Sequence, residues 1–358
     1  MNSQTLSGQQ PKPSRNDYRL IGGAGERAQA AGLVNAEWYK CPVPRATMKA
    51  LMQRDDAHAV RDTLLWLGLV LAAGALFVAA WVADSAWAWA AFFLYATLYC
   101  GPADSRWHES SHGTAFKTRW MNDALYQVAS FMVLRRPTRW RWSHARHHTD
   151  TLVTGRDPEI AAPVPTDLVS MTLNLFALKG GPKELWGVLC NAAGRIDPAD
   201  QSFIPEMEWP RVVREARAWV LVYAVVIGAA IYAQSWLPLC LIGLPSFAGA
   251  WLYNFFGLTQ HAGLPENVTD HRKNCRTVYM NPVFRFLYWN MNYHIEHHMY
   301  PMVPYHALPR LHEAIQADCP PAYDGTAAAY AEILPALLRQ AADPSWHVVR
   351  PVPERVAT

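Results

Sequence analysis

The chain has 358 residues, a net charge of +3 and 51% hydrophobic residues, a length that fits one large domain or two ordinary ones. So small a charge, with no Lys/Arg-rich run interleaved with aromatics, argues against a nucleic-acid partner. Six cysteines without a CxxC (Cys41, Cys100, Cys190, Cys240, Cys275, Cys319) argue against a disulfide framework or an iron–sulfur centre and read as reduced and structural.

In chain order, residues 1–16 are polar and predicted to be a disordered tail. No apolar segment occurs in the first nineteen residues, so no signal peptide is expected. Residues 17–60 are mixed, and Tyr18, Trp38, Tyr39 and Met48 are placed along a membrane surface. Residues 63–82 carry no charge and are long enough to cross a bilayer core of roughly 30 Å. A turn at Asp84 and Ser85 leads to a second run, 86–103. A second pair, 218–233 and 237–258, is joined by Gln234 to Pro238. Each pair reads as a helical hairpin. The sixteen tryptophans suit a chain that meets a membrane interface.

Charge bias sets the expected orientation. The turns at 82–86 and 233–238 contain no Lys or Arg, whereas fourteen lie between Pro102 and Ala216. The positive-inside rule then puts both termini, the middle segment and every clustered histidine on the cytoplasmic side. Two shorter apolar stretches, 124–134 and 168–178, read as interfacial or half-inserted helices. The tail carries helix-like segments at 307–317 and 325–341. The expected organisation is an N-terminal tail and interfacial segment (1–60), a membrane domain (61–315) and a C-terminal tail (316–358). The fold class is all-α: four transmembrane helices as two hairpins beneath a cytoplasmic helical cap.

Eight of the fourteen histidines fall in three compact groups: His108/His112, His144/His147/His148 and His294/His297/His298. A ninth, His261, stands alone after an apolar run. Spacings of three and four residues put side chains on one helix face, and neutral imidazole is the commonest protein metal ligand. One zinc takes three or four ligands, so this supply suits two metals with four or five nitrogens each. All-nitrogen sites suit iron, copper, zinc or nickel, and two redox metals beside a membrane point to oxygen activation. The HExxH pattern formed by His108, Glu109 and His112 also fits a zinc metalloprotease with Glu109 as general base. A metal transporter or sensor would want ionisable groups inside the spans, which have almost none.

In the order and placement of these boxes, HxxxH, HxxHH and a distant HxxHH, the chain resembles the integral-membrane fatty acid desaturase and hydroxylase superfamily over residues 60–315. The resemblance implies two iron ions that use dioxygen and external electrons to attack an unactivated C–H bond. The implied ligands are His108, His112, His144, His147, His148, His294, His297 and His298, with His261 where the superfamily often supplies one more. Some acyl desaturases place an Asn four residues before that histidine; here the position is Gly257.

The stretches from Thr259 to His271 and from Tyr288 to Pro301 look most like a bacterial hydrocarbon oxygenase branch implicated in rhizopine catabolism. That likeness implies a bacterial inner-membrane monooxygenase (hydroxylation or oxidative demethylation) fed by a separate ferredoxin, of Rieske type, and a reductase. Fatty acyl desaturation in lipid metabolism is the alternative. The substrate is a fatty acyl chain, a hydrocarbon or a small methylated compound. The chain carries no haem, flavin or NAD motif of its own, in keeping with an external donor.

Four further groups of residues have expected roles. Glu109, Glu296, Asp104, Asp150 and Asp157 are candidates to orient ligand imidazoles. His271 reads as a surface residue, with a substrate or ligand-orienting role as the alternative. His58, His306, His312 and His347 are not expected as ligands. The basic run Arg135, Arg136, Arg139 and Arg141 is assigned to anionic lipid headgroups or an acidic electron donor.

Overall fold

A computed structural model describes residues 17–353; the tail expected over 1–16 lies outside the described residues. Those residues are helical, and their extended pairing is limited to two isolated bridges, Thr277 with Tyr293 and Val278 with Tyr323.

Helix α1 (Asp56–Val82) starts where the Asp55 carboxylate accepts the Ala57 N–H, satisfying a donor that has no partner within the helix. The turn after it is made by Asp84 at φ 48°. Helix α2 (Ala88–Ser111) runs about two turns beyond the expected apolar span and so carries His108 in its last turn. Two helical stretches, Arg45–Val82 and Glu206–Tyr232, are long and apolar enough to cross a membrane. Only 28% and 17% of their most apolar windows are buried, so their apolar surface faces outward, unlike that of a soluble core helix.

The second expected hairpin differs in its return arm. Helix α3 (Trp209–Tyr232) is continuous, but the run expected over 237–258 is broken into Leu237–Leu241, Pro245–Ala248 and α4 (Ala250–His261). Gly243 at φ 105° ends the first piece, and Pro238 and Pro245 sit at helix starts, where a missing N–H costs nothing. Gly249 lies against α2 so closely that a Cβ there would sit 1.9 Å from the Ala96 carbonyl oxygen.

The short apolar stretches form Arg119–Met132 and Leu168–Asn174. Trp120, Val128, Leu168, Val169 and Leu173 are exposed on them. One core runs from Trp66 and Phe77 through Trp107 and Tyr126 to Met291, Ile295, Leu311 and Ile333, so α1, α2 and the histidine-bearing segments share it, while Ala216 and Trp219 of α3 pack in a separate cluster with Leu134 and Val188. The two tail helices, Leu308–Ile315 and Thr326–Ala342, fall where the sequence places them.

Candidate metal centre

Four segments bring the nine histidines together. His108 and His112 end α2, and His144, His147 and His148 lie on α5 (Pro137–Thr149), opened by Pro137 in its first turn. His261 closes α4. His294, His297 and His298 lie on the six-residue α6 (His294–Met299), which is entirely buried. The histidines sort into a group of five (His108, His112, His144, His148, His297) and a group of four (His147, His261, His294, His298). Within each group the candidate ligand nitrogens lie within 4.8 Å of one another.

Helix geometry explains the sorting. Residues four apart share a face, so His108/His112, His144/His148 and His294/His298 stay together. The histidine at the third position, His147 or His297, crosses to the other group. The groups abut, with the His148 and His298 rings stacked 4.3 Å apart.

The Nε2 atoms converge. His108–His297, His112–His144, His144–His148, His148–His297, His261–His294 and His294–His298 have Nε2 separations between 2.7 and 3.2 Å. A metal with metal–nitrogen bonds of about 2.1 Å spaces neighbouring ligand nitrogens about 3.0 to 3.4 Å apart.

Hydrogen bonds at the other ring nitrogen fix the tautomers. His144 Nδ1 lies 3.0 Å from Glu159 and His147 Nδ1 lies 2.8 Å from Asp157. His261 Nδ1 donates to the Asn274 carbonyl at 2.8 Å. Thr151 Oγ1 gives its proton to the His147 carbonyl and accepts from His298 Nδ1. In a neutral ring each of these leaves a bare lone pair on Nε2. Bare nitrogens then face His294 Nε2 from two sides, and one proton cannot satisfy both contacts. A cation satisfies them all, so the donor set fits a metal pair.

Electrostatics agree. Burial, and then repulsion among neighbouring imidazoles, hold His148, His294, His297 and His298 well below the ordinary histidine value, so they stand neutral as ligands must. Burial also pushes His147 down, but the Asp157 carboxylate outweighs it and leaves His147 raised. Burial raises Glu159, while His144 and His147 beside it bring it down to about 2, so it stays ionised.

Several expectations change. Of the five acids proposed to orient imidazoles, Asp157 alone does so. Asp104 pairs with Arg135, Asp150 with Arg146 and Arg156, and Glu109 accepts the Tyr305 N–H. Glu296 is held by Thr277 and His312. Glu159, Thr151 and Asn274 act on ligand histidines and were not foreseen; only the Asp157/Glu159 alternation after the second box hinted at two. His271 is no surface residue. It is buried, its ring stacked 4.3 Å from Trp38 and tilted 5.1 Å from His298. His58, His306 and His312 lie outside both groups. The basic run is consumed internally: Arg136 and Arg139 pair with Glu184 and Asp200, and Arg141 with Asp123. None of the six cysteines forms a disulfide.

Comparison with known proteins agrees with this geometry. The fatty acid desaturase family matches residues 85–329, which include all nine histidines. The chain belongs to that family. It is similar to an sn-2 acyl-lipid omega-3 desaturase (ferredoxin), chloroplastic, of Helianthus annuus, 23% identical over 285 residues. The match covers 73% of this chain and 61% of that protein, so the chain spans about three fifths of the relative's length.

Proposed function

We propose that this protein is an integral-membrane oxidoreductase that holds two irons in its paired histidine groups. It uses dioxygen and electrons from a separate protein to oxidise an unactivated C–H bond. The outcome is oxygen insertion: hydroxylation, or demethylation where the carbon is bonded to oxygen or nitrogen. The observation that carries this reading is the division of nine imidazoles, six buried and three half-buried, into adjoining groups of five and four with Nε2 atoms about 3 Å apart.

In this reading His108, His112, His144, His148 and His297 hold one iron, and His147, His261, His294 and His298 the other. Bound iron would supply the activation of dioxygen that carbon–hydrogen oxidation requires. The chain's own groups prepare the site. Glu159, Asp157, Thr151 and the Asn274 carbonyl lock four rings with Nε2 inward, and loss of such a partner typically weakens metal binding by roughly ten- to hundredfold. The helical cap buries the third box and keeps bulk water from it. The outward apolar surface of two long helices supports residence in a membrane, and the charge bias supports a cytoplasmic site beneath four spans. The word ferredoxin in the relative's name supports such a donor here, of Rieske type with a reductase if the branch likeness holds.

Acyl desaturation is the second reading, favoured by the Helianthus annuus relative, whose printed activity is a desaturation. A zinc protease is the remote third reading; it is disfavoured by a ligand supply of nine histidines and by Glu109, one of whose carboxylate oxygens accepts the Tyr305 backbone N–H. Metal content and isotope incorporation test the proposal on one sample. Two irons with ¹⁸O from dioxygen in the product support oxygen insertion. Two irons with a new double bond and no ¹⁸O support desaturation, and zinc in place of iron overturns both.

A further inference from the structure

A tenth histidine, His271, is buried beside the metal centre but belongs to neither the group of five nor the group of four. Its ring is stacked on Trp38, 4.3 Å away with the planes 10° apart. The ligand His298 lies on from it, 5.1 Å away. Trp38 is half-buried and lines an open hollow of about 760 Å³ with Tyr39, Lys40, Thr269 and Asp270. Adjoining rings therefore lead from the surface to a ligand of the group of four. Trp38 reaches the other group as well. Its Nε1–H donates to the Thr149 carbonyl at 3.1 Å, and Thr149 directly follows the ligand His148. Trp107 is the other aromatic ring against ligand histidines, touching His108 and His144. It is itself buried, and meets half-buried Trp140 across a further 5.9 Å. The path from Trp38 is shorter, and it branches to both groups.

The surface around Trp38 is basic. Lys40, Arg45, Lys49 and Lys273 are exposed, and none pairs with an acid among the described residues. Lys40 Nζ lies 6.0 Å from the Tyr300 ring, and Tyr300, Arg45 and Lys49 line a second hollow of about 470 Å³. Tyr300 follows the last histidine of the third box by two residues. Of the acids lining the two hollows, Asp270 is paired with Arg272, which leaves Glu37. The cations at 135–141 are the contrast, neutralised inside the fold.

We infer that Trp38 and His271 form the electron entry route, and that the basic surface around Trp38 docks an acidic one-electron carrier protein. The inference rests on the function proposed above, RH + O₂ + 2e⁻ + 2H⁺ → ROH + H₂O; desaturation would draw the same two electrons. Two reduced carriers dock in turn. Each is oxidised by one electron, which passes by way of Trp38 to the metal pair, and solvent supplies the protons. The rings need not hold the electron; they replace open gaps with contacts. Complementary charge speeds docking and sets the carrier's register over Trp38. Anionic lipid headgroups would be drawn to the same cations, but they give no reason for a ring stack leading from them to a ligand.

The test uses the full-length protein in detergent and an acidic two-iron ferredoxin as the carrier. Binding is measured by calorimetry on zinc-loaded protein. Reduction is measured on iron-loaded protein by stopped flow, without substrate or oxygen, from the absorbance of the ferredoxin. Trp38→Leu and His271→Leu are each expected to keep iron and ferredoxin affinity while the limiting rate of reduction falls roughly tenfold or more, about 1.4 kcal/mol in the barrier. Trp38→Phe keeps a ring and should retain most of the rate. Lys40→Glu/Lys273→Glu should do the converse, weakening ferredoxin binding roughly tenfold at low salt with the limiting rate kept. Both lysines are exposed, so this variant keeps the inference testable if a ring variant does not fold. Unchanged limiting rates in both Leu variants overturn the route, as does loss of iron from both, which would make the pair structural support. Affinity indifferent to the charge reversal overturns the docking face and leaves it to lipid. Iron-loaded wild type that ferredoxin does not reduce overturns both. A wild-type protein that takes up no iron overturns the parent function instead.

Discussion

His108 Nε2 lies 2.7 Å from His297 Nε2, although 189 residues separate the two. The contact joins the end of a long apolar helix to a six-residue helix near the far end of the chain. Two neutral imidazoles gain little from such an approach, and desolvating both is costly. The proposed metal makes the contact favourable, and metal binding and closure of the fold then become one event.

Removing single ligands should separate the groups. Alanine at His147 or His298 leaves three histidines in the smaller group, while alanine at His148 or His297 leaves four in the larger. All four substitutions are expected to abolish turnover. Elemental analysis should give about one iron per chain for His147→Ala and His298→Ala, with milder loss for the other two. Two irons and full activity in any of the four would sink the metal assignment.

Orienting partners make a subtler prediction. Asp157→Asn and Glu159→Gln keep shape but remove the charge that holds His147 and His144 in the inward tautomer. Each is expected to weaken metal binding roughly ten- to hundredfold, measured by competition with a chelator, with unchanged helicity. Asp157→Asn should act on the group of four and Glu159→Gln on the group of five.

How much of this was legible beforehand depended on periodicity. The grouping of the histidines and the first hairpin could be read because helix repeats and long apolar runs are local signals. The break at Gly243 and Pro245 was in the letters, yet the run stayed apolar across it, and composition outvoted the punctuation. The acids failed for another reason. Glu296 lies between His294 and His297 in sequence, but a short helix turns it away from the metal side to His312. Glu159 reaches His144 only because the chain doubles back after the second box, with Leu152 at φ 55° and Gly155 at φ 76°. The arginine run likewise looked like a surface patch because Glu184 and Asp200, its partners, are some fifty residues downstream.

Glu109→Gln separates the two hydrolytic and oxidative readings. The amide oxygen of Gln can still accept the Tyr305 N–H, which is the bond Glu109 makes. Metal content and oxidative turnover should therefore persist, with stability changed by about 1 kcal/mol or less. A zinc protease would lose its general base and all activity. Complete loss of turnover with both metals retained would favour hydrolysis.

Gly249→Ala tests whether helix packing sets the distance between the groups. At Gly249 the return arm approaches α2 so closely that an added Cβ would sit 1.9 Å from the Ala96 carbonyl oxygen and 2.9 Å from Cys100 Cβ. The obstruction at Ala96 is backbone, so no side-chain rotation relieves it, and the helices must move apart. Such overpacking costs typically 1–3 kcal/mol, and more where backbone must shift. Downstream of the contact, α4 carries His261; on the other side, α2 carries His108 and His112. Separation there displaces ligands of both groups together. The expected result is a lower melting temperature with loss of metal from both groups, in contrast to the one-sided losses of His147→Ala. If Gly249→Ala binds two irons as tightly as wild type, the close approach does not position the site.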